Sequence, residues 1–196
     1  MKRLVKVIAA VVTLAIPAAA AAAPWSIDAD HSNVGFKVRH MMVSNVKGDF
    51  GKVSGVVDID DQDVTRSKVE VTIDTASIST GVAKRDAHLK SADFFDVAKY
   101  PTMTFVFQKV KKAGNGGLQV YGLLTLHGVT REVVLDVEGP TRAYKDPWGN
   151  IKRGATAIAR INRKDFGLTW NAAIESGGVV VGDDITIALE IELLKK

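Results

Sequence analysis

Four histidines, His31, His40, His88 and His127, are the side chains best suited to acid–base or metal chemistry, and each lies in a different stretch of the 196-residue chain. Four imidazoles can converge on one ion, but scattered histidines in strand-like sequence are more often packed or solvated, so no metal is expected. The absence of cysteine removes thiol nucleophiles and thiolate ligands. The sequence contains no G-x-S-x-G elbow, H-E-x-x-H pair or phosphate-cradling P-loop. Asp58, Asp60, Asp61 and Asp63 crowd one turn but lack the glycine and distal glutamate of a calcium loop. Arg85 and Asp86 beside His88 read most simply as an ion pair anchoring a helical segment, and Lys109, Lys111 and Lys112 as a solvated hairpin end. No catalytic constellation and no cofactor is expected.

The elements that would carry these residues are mostly strands. Val34, Phe36 and Val38 alternate with polar residues, as do Val69, Val71 and Ile73. Met103, Phe105 and Phe107 share one parity, and Val133, Leu135 and Val137 share another run. Ile185, Ile187, Leu189, Ile191 and Leu193 continue the pattern near the end. A period of two in Val, Ile, Thr and Phe marks half-buried strands. The spacing predicts strands at 33–40, 49–59, 67–75, 102–110, 117–126, 129–138, 152–164 and 184–194, with a weak one near 168–175. Turn chemistry separates them at Asp60–Asp63, Gly114–Gly117, His127-Gly128, Asp146–Asn150 and Ser176–Gly178. Hairpin-length connections argue an antiparallel meander. Thr80 to Tyr100 reads as helix, capped by Ser79 or Thr80 and ended by Pro101, with a further helical turn over Met41–Asn45.

The formal net charge of +4 and pI near 9.2 owe much to the first 22 residues. Lys2, Arg3 and Lys6 precede an apolar run from Val7 to Ile16, then Pro17 and an alanine-rich stretch. This is the pattern of a secretory signal peptide, with cleavage expected after Ala22 and a single domain over 23–196. Those three cations leave only one unit of net charge for the rest, so a nucleic-acid partner is not expected. An exported chain without cysteine must be held by its core alone.

About eight antiparallel strands with one apolar face close readily into a barrel whose interior side chains can fill or which can hold one small ligand. A sandwich would pack two inner faces and leave no cavity, and composition does not separate the two. Gly51, Gly55, Gly122 and Gly154 fall inside predicted strands, where glycine marks bulges or bends. Phe36, Phe94, Phe95, Phe105, Phe107 and Trp170 are large candidates for the interior or its mouth. An exported closed sheet with aromatic inward residues and no catalytic motif suits holding an apolar molecule.

Specific strings then carry a resemblance. His31-Ser32-x-Val34-Gly35-Phe36-x-Val38-x-His40-Met41 is followed by Val46-x-Gly48-x-Phe50-x-x-x-x-Gly55. Arg85-Asp86-x-His88-Leu89-x-Ser91-x-Asp93-Phe94-Phe95-Asp96 and Tyr100-Pro101-x-x-x-Phe105 come next. Gly122-x-Leu124-Thr125-Leu126-x-Gly128-Val129-Thr130, Asp146-Pro147-Trp148-Gly149 and Arg163-x-Asp165-Phe166-Gly167 complete the series. From Trp25 to Leu194 the chain resembles the YceI-like family of lipid- or polyisoprenoid-binding proteins. The resemblance implies an all-β fold: an extended eight-stranded antiparallel lipocalin-like β-barrel with a helical segment near one end. It also implies periplasmic export, frequent dimerisation and an apolar tunnel for a long-chain isoprenoid or fatty amphiphile. The partners expected are that amphiphile, a transient membrane contact and a second copy of the chain.

Parity and position then nominate Phe36, Val38, Phe50, Val71, Ile73, Phe94, Phe105, Phe107 and Trp170 as ligand-binding residues. Phe94 and Phe95 would close one end beneath a helical lid. Arg85 and His88, on that lid, would contact an anionic head group. Two other classes stay open: an exported hydrolase or isomerase using His40 and His88 with an acid on an apolar substrate, and a structural barrel packed solid.

Overall fold

The computed structural model describes residues 23–60, 62–114, 116–175 and 177–196. The expected signal peptide over 1–22 lies outside the described residues, as do Asp61, Asn115 and Ser176 within three of the expected turns. Twelve strands form one antiparallel sheet: β1 (Ala23–Ile27), β2 (Asn33–His40), β3 (Ser44–Phe50), β4 (Val53–Ile59), β5 (Lys68–Asp74), β6 (Ile78–Ser79), β7 (Thr102–Lys112), β8 (Leu118–Leu126), β9 (Val129–Glu138), β10 (Tyr144–Lys145), β11 (Ile151–Asn162) and β12 (Val181–Lys195). Among the described residues one α-helix, α1 (Ala83–Lys90), interrupts them and packs against β6.

The sheet closes on itself. β1, β4, β5, β7, β8, β9, β11 and β12 form a ring in which each pairs with the next and β12 returns to β1. β2 and β3 continue β1 and β4 beyond a corner: β12 pairs with β1 through Leu193–Lys195 and with β2 through Val181–Glu190. The eight-stranded meander expected from the sequence is therefore an up-and-down barrel whose first staves are bent.

The bends account for where sequence spacing and structure part. The strand expected over 49–59 is two strands, because Gly51 and Lys52 turn the chain between β3 and β4. Met41–Asn45 is not a helical turn. Met41 and Met42 both take left-handed φ (47° and 61°), and the Val43 amide donates to His40 O at 3.1 Å, closing the β2–β3 hairpin. The helix covers only 83–90 of the expected 80–100, and the chain then folds back in tight turns: the Phe95 amide donates to Leu89 O and the Tyr100 amide to Asp96 O. Its N-cap is Val82, with no side-chain cap bond. Thr80 is instead held by Asp86, which accepts from the Thr80 amide at 2.9 Å, and by Arg85, whose Nε donates to Thr80 Oγ1 at 2.7 Å. No strand forms over 168–175. That stretch is irregular except for an isolated bridge between Ala173 and Val179, and β11 gives way at Arg163 to a 3₁₀ turn ended by Gly167 in left-handed geometry.

Period-two alternation directs Val71 and Ile73 of β5, Phe105 and Phe107 of β7, and Ile187 and Leu189 of β12 to the same interior. A bulge between Phe107 and Lys109 resets the parity of β7, so that Val110 also turns inward. Two inward glycines let the wall bend. A Cβ at Gly122 would strike the Phe105 ring, which folds over it. A Cβ at Gly55 would run into the backbone of β5 at Glu70 O and, 3.0 Å away, Val71 Cα. Backbone cannot yield as a side chain can, so Gly55→Ala should lower stability by about 1–3 kcal/mol. The check is a urea unfolding curve with a reduced midpoint and an unchanged slope.

Candidate ligand-binding cavity

The barrel surrounds a cavity of about 340 Å³ lined mainly by apolar side chains, and the surface those walls expose to it is apolar. It runs from Leu89 of α1 and Phe94 and Phe95 just after it to Ile59, Val110 and Pro140 at the far end. Several wall residues that face it, among them Val71, Phe105, Phe107, Val120 and Leu135, are only half-buried. In a solid core such inward side chains would be covered on all sides; here part of their surface faces the hollow.

Two devices keep the interior open. β11 presents Ala155 and Ala157 to the middle of the cavity, so that part of the wall carries little side-chain volume. The rings of Phe36, Phe50 and Phe95 gather at the α1 end: Phe50 lies 5.9 Å from Phe36 and packs edge-on against Phe95 at 5.6 Å. Buried Phe166 and Leu168 complete the packing of the same cluster.

Eight of the nine apolar residues nominated from sequence line this cavity: Phe36, Val38, Phe50, Val71, Ile73, Phe94, Phe105 and Phe107. Trp170 does not. It stacks outside Phe94, 5.1 Å away, and edge-on against His88 at 4.8 Å, because the stretch that carries it is a loop without strand parity. Arg85 and His88 also stand off the lining. Both Arg85 Nε and Nη2 are spent on Thr80, and His88 Nε2 hydrogen-bonds Asp93 Oδ2 at 2.8 Å, tying α1 to the turn that follows. Sequence reasoning did not nominate the walls from β8, β9, β11 and β12, although Leu124, Leu135, Ile187 and Ile191 carry the same alternation and all line the cavity.

Among the described residues that line the cavity, Arg163 is charged, and it is buried. All five of its N–H groups have acceptors: Nε donates to Gly182 O (2.9 Å), Nη1 to Leu168 O and Trp170 O, and Nη2 to Val181 O and Asp183 Oδ1. Burial pulls its guanidinium below the usual range, and Asp183 opposes that shift. Its task is to clamp the loop after β11 to the start of β12. Sequence showed Arg163 only as part of a motif, since nothing in the chain signals that a guanidinium will be buried.

A cluster of Asp28, His31 and Glu192 offers ligand atoms close enough for a cation. Lys152 already supplies one: its Nζ lies 3.2 Å from Asp28 Oδ2 and 2.5 Å from Glu192 Oε1. Desolvation raises the Asp28 carboxyl, but hydrogen bonds from Lys152 and His31 outweigh it and hold the group below its ordinary value. The cluster is an ion-pair network across β1, β11 and β12.

A family model described as the YceI-like domain matches residues 25–193. A UPF0312 protein of Vibrio cholerae is 40% identical over 170 residues, covering 86% of this chain and 89% of that one. A solved Campylobacter jejuni YceI protein aligns with a TM-score of 0.66 at 36% identity, covering 86% of this chain and 96% of that one. A polyisoprenoid binding domain from Saccharophagus degradans shares the fold, with a TM-score of 0.64 at 17% identity over 88% of this chain and 98% of that one.

Two expectations follow from the geometry. Arg163→Met leaves several carbonyls without donors and should cost about 3 kcal/mol or more, read from denaturant unfolding. Val120→Phe should be neutral or stabilising, because the added ring enters empty space, whereas in a filled core the same change would cost about 1–3 kcal/mol. The thermal melt of Val120→Phe, compared with that of the parent, decides it.

Proposed function

The chain belongs to the YceI-like family, and from that premise we propose that it is an exported, periplasmic lipid-binding protein that encloses the apolar tail of a long-chain isoprenoid or similar amphiphile for transport, storage or sequestration. The observation that carries this reading is a hollow with an apolar exposed surface inside a closed barrel. The signal-peptide pattern of residues 1–22 supports the compartment. The shared fold with a domain described as polyisoprenoid binding supports the ligand class.

The energetics are adequate. Burying about 500 Å² of alkyl surface gains roughly 12 kcal/mol. Association and chain ordering return about 4–15 kcal/mol of that, and a preorganised barrel keeps the loss toward the low end. Chemistry at the cavity has less support. The two histidines an exported hydrolase or isomerase would use are engaged elsewhere, His40 with Val180 O and His88 with Asp93. The surface exposed to the cavity is apolar and offers an alkyl chain dispersion contacts, and the guanidinium of Arg163 in the wall is fully engaged with protein acceptors.

The test has two arms. Protein purified without detergent is extracted with organic solvent and the extract examined by mass spectrometry, and the stripped protein is melted with and without a long-chain isoprenol. An apolar molecule in stoichiometric amount and a raised Tm are expected, with the Tm rise abolished in Val120→Trp, whose indole projects into the hollow and blocks its bore. An empty extract together with an unmoved Tm would overturn the proposal.

A further inference from the structure

The β2–β3 hairpin is built against three ordinary preferences at once. Its tip, Met41-Met42-Val43, exposes 43%, 52% and 78% of three consecutive apolar residues. The two methionines hold left-handed φ, a conformation that favours glycine or asparagine and that a long side chain occupies at a cost. Below the tip, Lys37 and Lys47 stand directly opposite each other across the strand pair, an arrangement that repels. Arg39, also exposed, lies between them and the tip and donates to Met42 O at 2.8 Å. Asp49 is the first carboxylate met down either strand. On the neighbouring β12, Asp183 is taken up by Arg163 and Lys164, and Asp184 stands in register with Asn162 on the other side.

The tip is continuous with the cavity. Val38, Val181 and Ile185 line the hollow, Ile185 pairs with Val38, and Val181 pairs with His40, the residue just before Met41.

We propose that this hairpin docks the barrel on an anionic lipid bilayer, Met41, Met42 and Val43 entering among the acyl chains while Lys37, Arg39 and Lys47 meet headgroup phosphates. An apolar tip on a cationic stem is what a lipid interface recognises. A second copy of the chain fits less well. A two-fold contact would set the cationic stem against itself, and three side chains fall far short of the roughly 800 Å² per partner of a stable interface. The docking would bring the Val38 end of the cavity to the membrane, and in that respect it rests on the lipid-binding reading above.

The experiment is vesicle flotation of the protein with pure phosphatidylcholine and with phosphatidylglycerol-containing vesicles, at low and high salt. The variants are Met41→Asn with Met42→Gly, which suits left-handed φ and preserves the turn, Val43→Asp, and Trp148→Ala as a control at a different exposed turn, where Trp148 is 83% exposed. Salt-sensitive flotation with the anionic vesicles is expected, falling about tenfold or more in both tip variants and unchanged in the control. No flotation, flotation indifferent to the tip variants, or flotation lost only with Trp148 would overturn the proposal. So would a dimer, seen by sedimentation, that the tip variants dissolve while flotation persists. A fluorescent fatty acid added without vesicles reads the barrel separately. If it binds while vesicles do not, only the docking falls; if it fails to bind while flotation still depends on the tip, only the lipid-cavity reading falls.

Discussion

β12 pairs with three strands: β11 from Asp184 to Leu194, β2 from Val181 to Glu190, and β1 from Leu193 to Lys195. Those pairings join the last stave of the sheet to the first two and leave the ring without an open edge at the seam. Closure fixes strand number, and strand number fixes the width of the interior. Eight strands give a bore that side chains could fill, so whether the molecule is solid or hollow depends on what each strand points inward. Here β11 points alanines, β4 and β8 each point a glycine, and the phenylalanines of β2, β3 and the turn after α1 gather at one end.

An apolar hollow has a cost. Its wall loses the dispersion contacts that a packed neighbour would supply, and the loss grows with the empty volume. Stability must come from elsewhere: the long β7–β8–β9 and β11–β12 ladders, the tight cluster around Phe166 and Ile78, and a buried guanidinium that satisfies four backbone carbonyls at the loop following β11. A bound alkyl chain would return the missing contacts. Occupancy and stability are then linked, as for any ligand that binds only the folded state.

Much of the wall was legible because alternation is local. Val71 with Ile73 and Phe105 with Phe107 could be placed from neighbours two residues away, and the two-residue turn at His127-Gly128 was marked by its glycine. What stayed hidden depends on partners far off in sequence. β1 is held only by β4 and β12, and nothing in its five residues alternates clearly. The corner at Gly51–Lys52 appears only when β2 and β1 share one side of β12. Trp170 looked like a wall residue by size, but size carries no direction in a loop. Met41–Asn45, expected as a helical turn, is instead the tip of a hairpin whose register is set by the pairing of β2 with β3.

Crystallography of the protein purified without detergent, or soaked with a long-chain isoprenol, reads the interior directly. The expected result is continuous tubular density running between the walls at Val38, Phe105 and Val120, with those side chains left in place. A lumen occupied by the protein's own side chains, with no density and no room for an alkyl chain after soaking, would contradict a hollow barrel built to hold lipid.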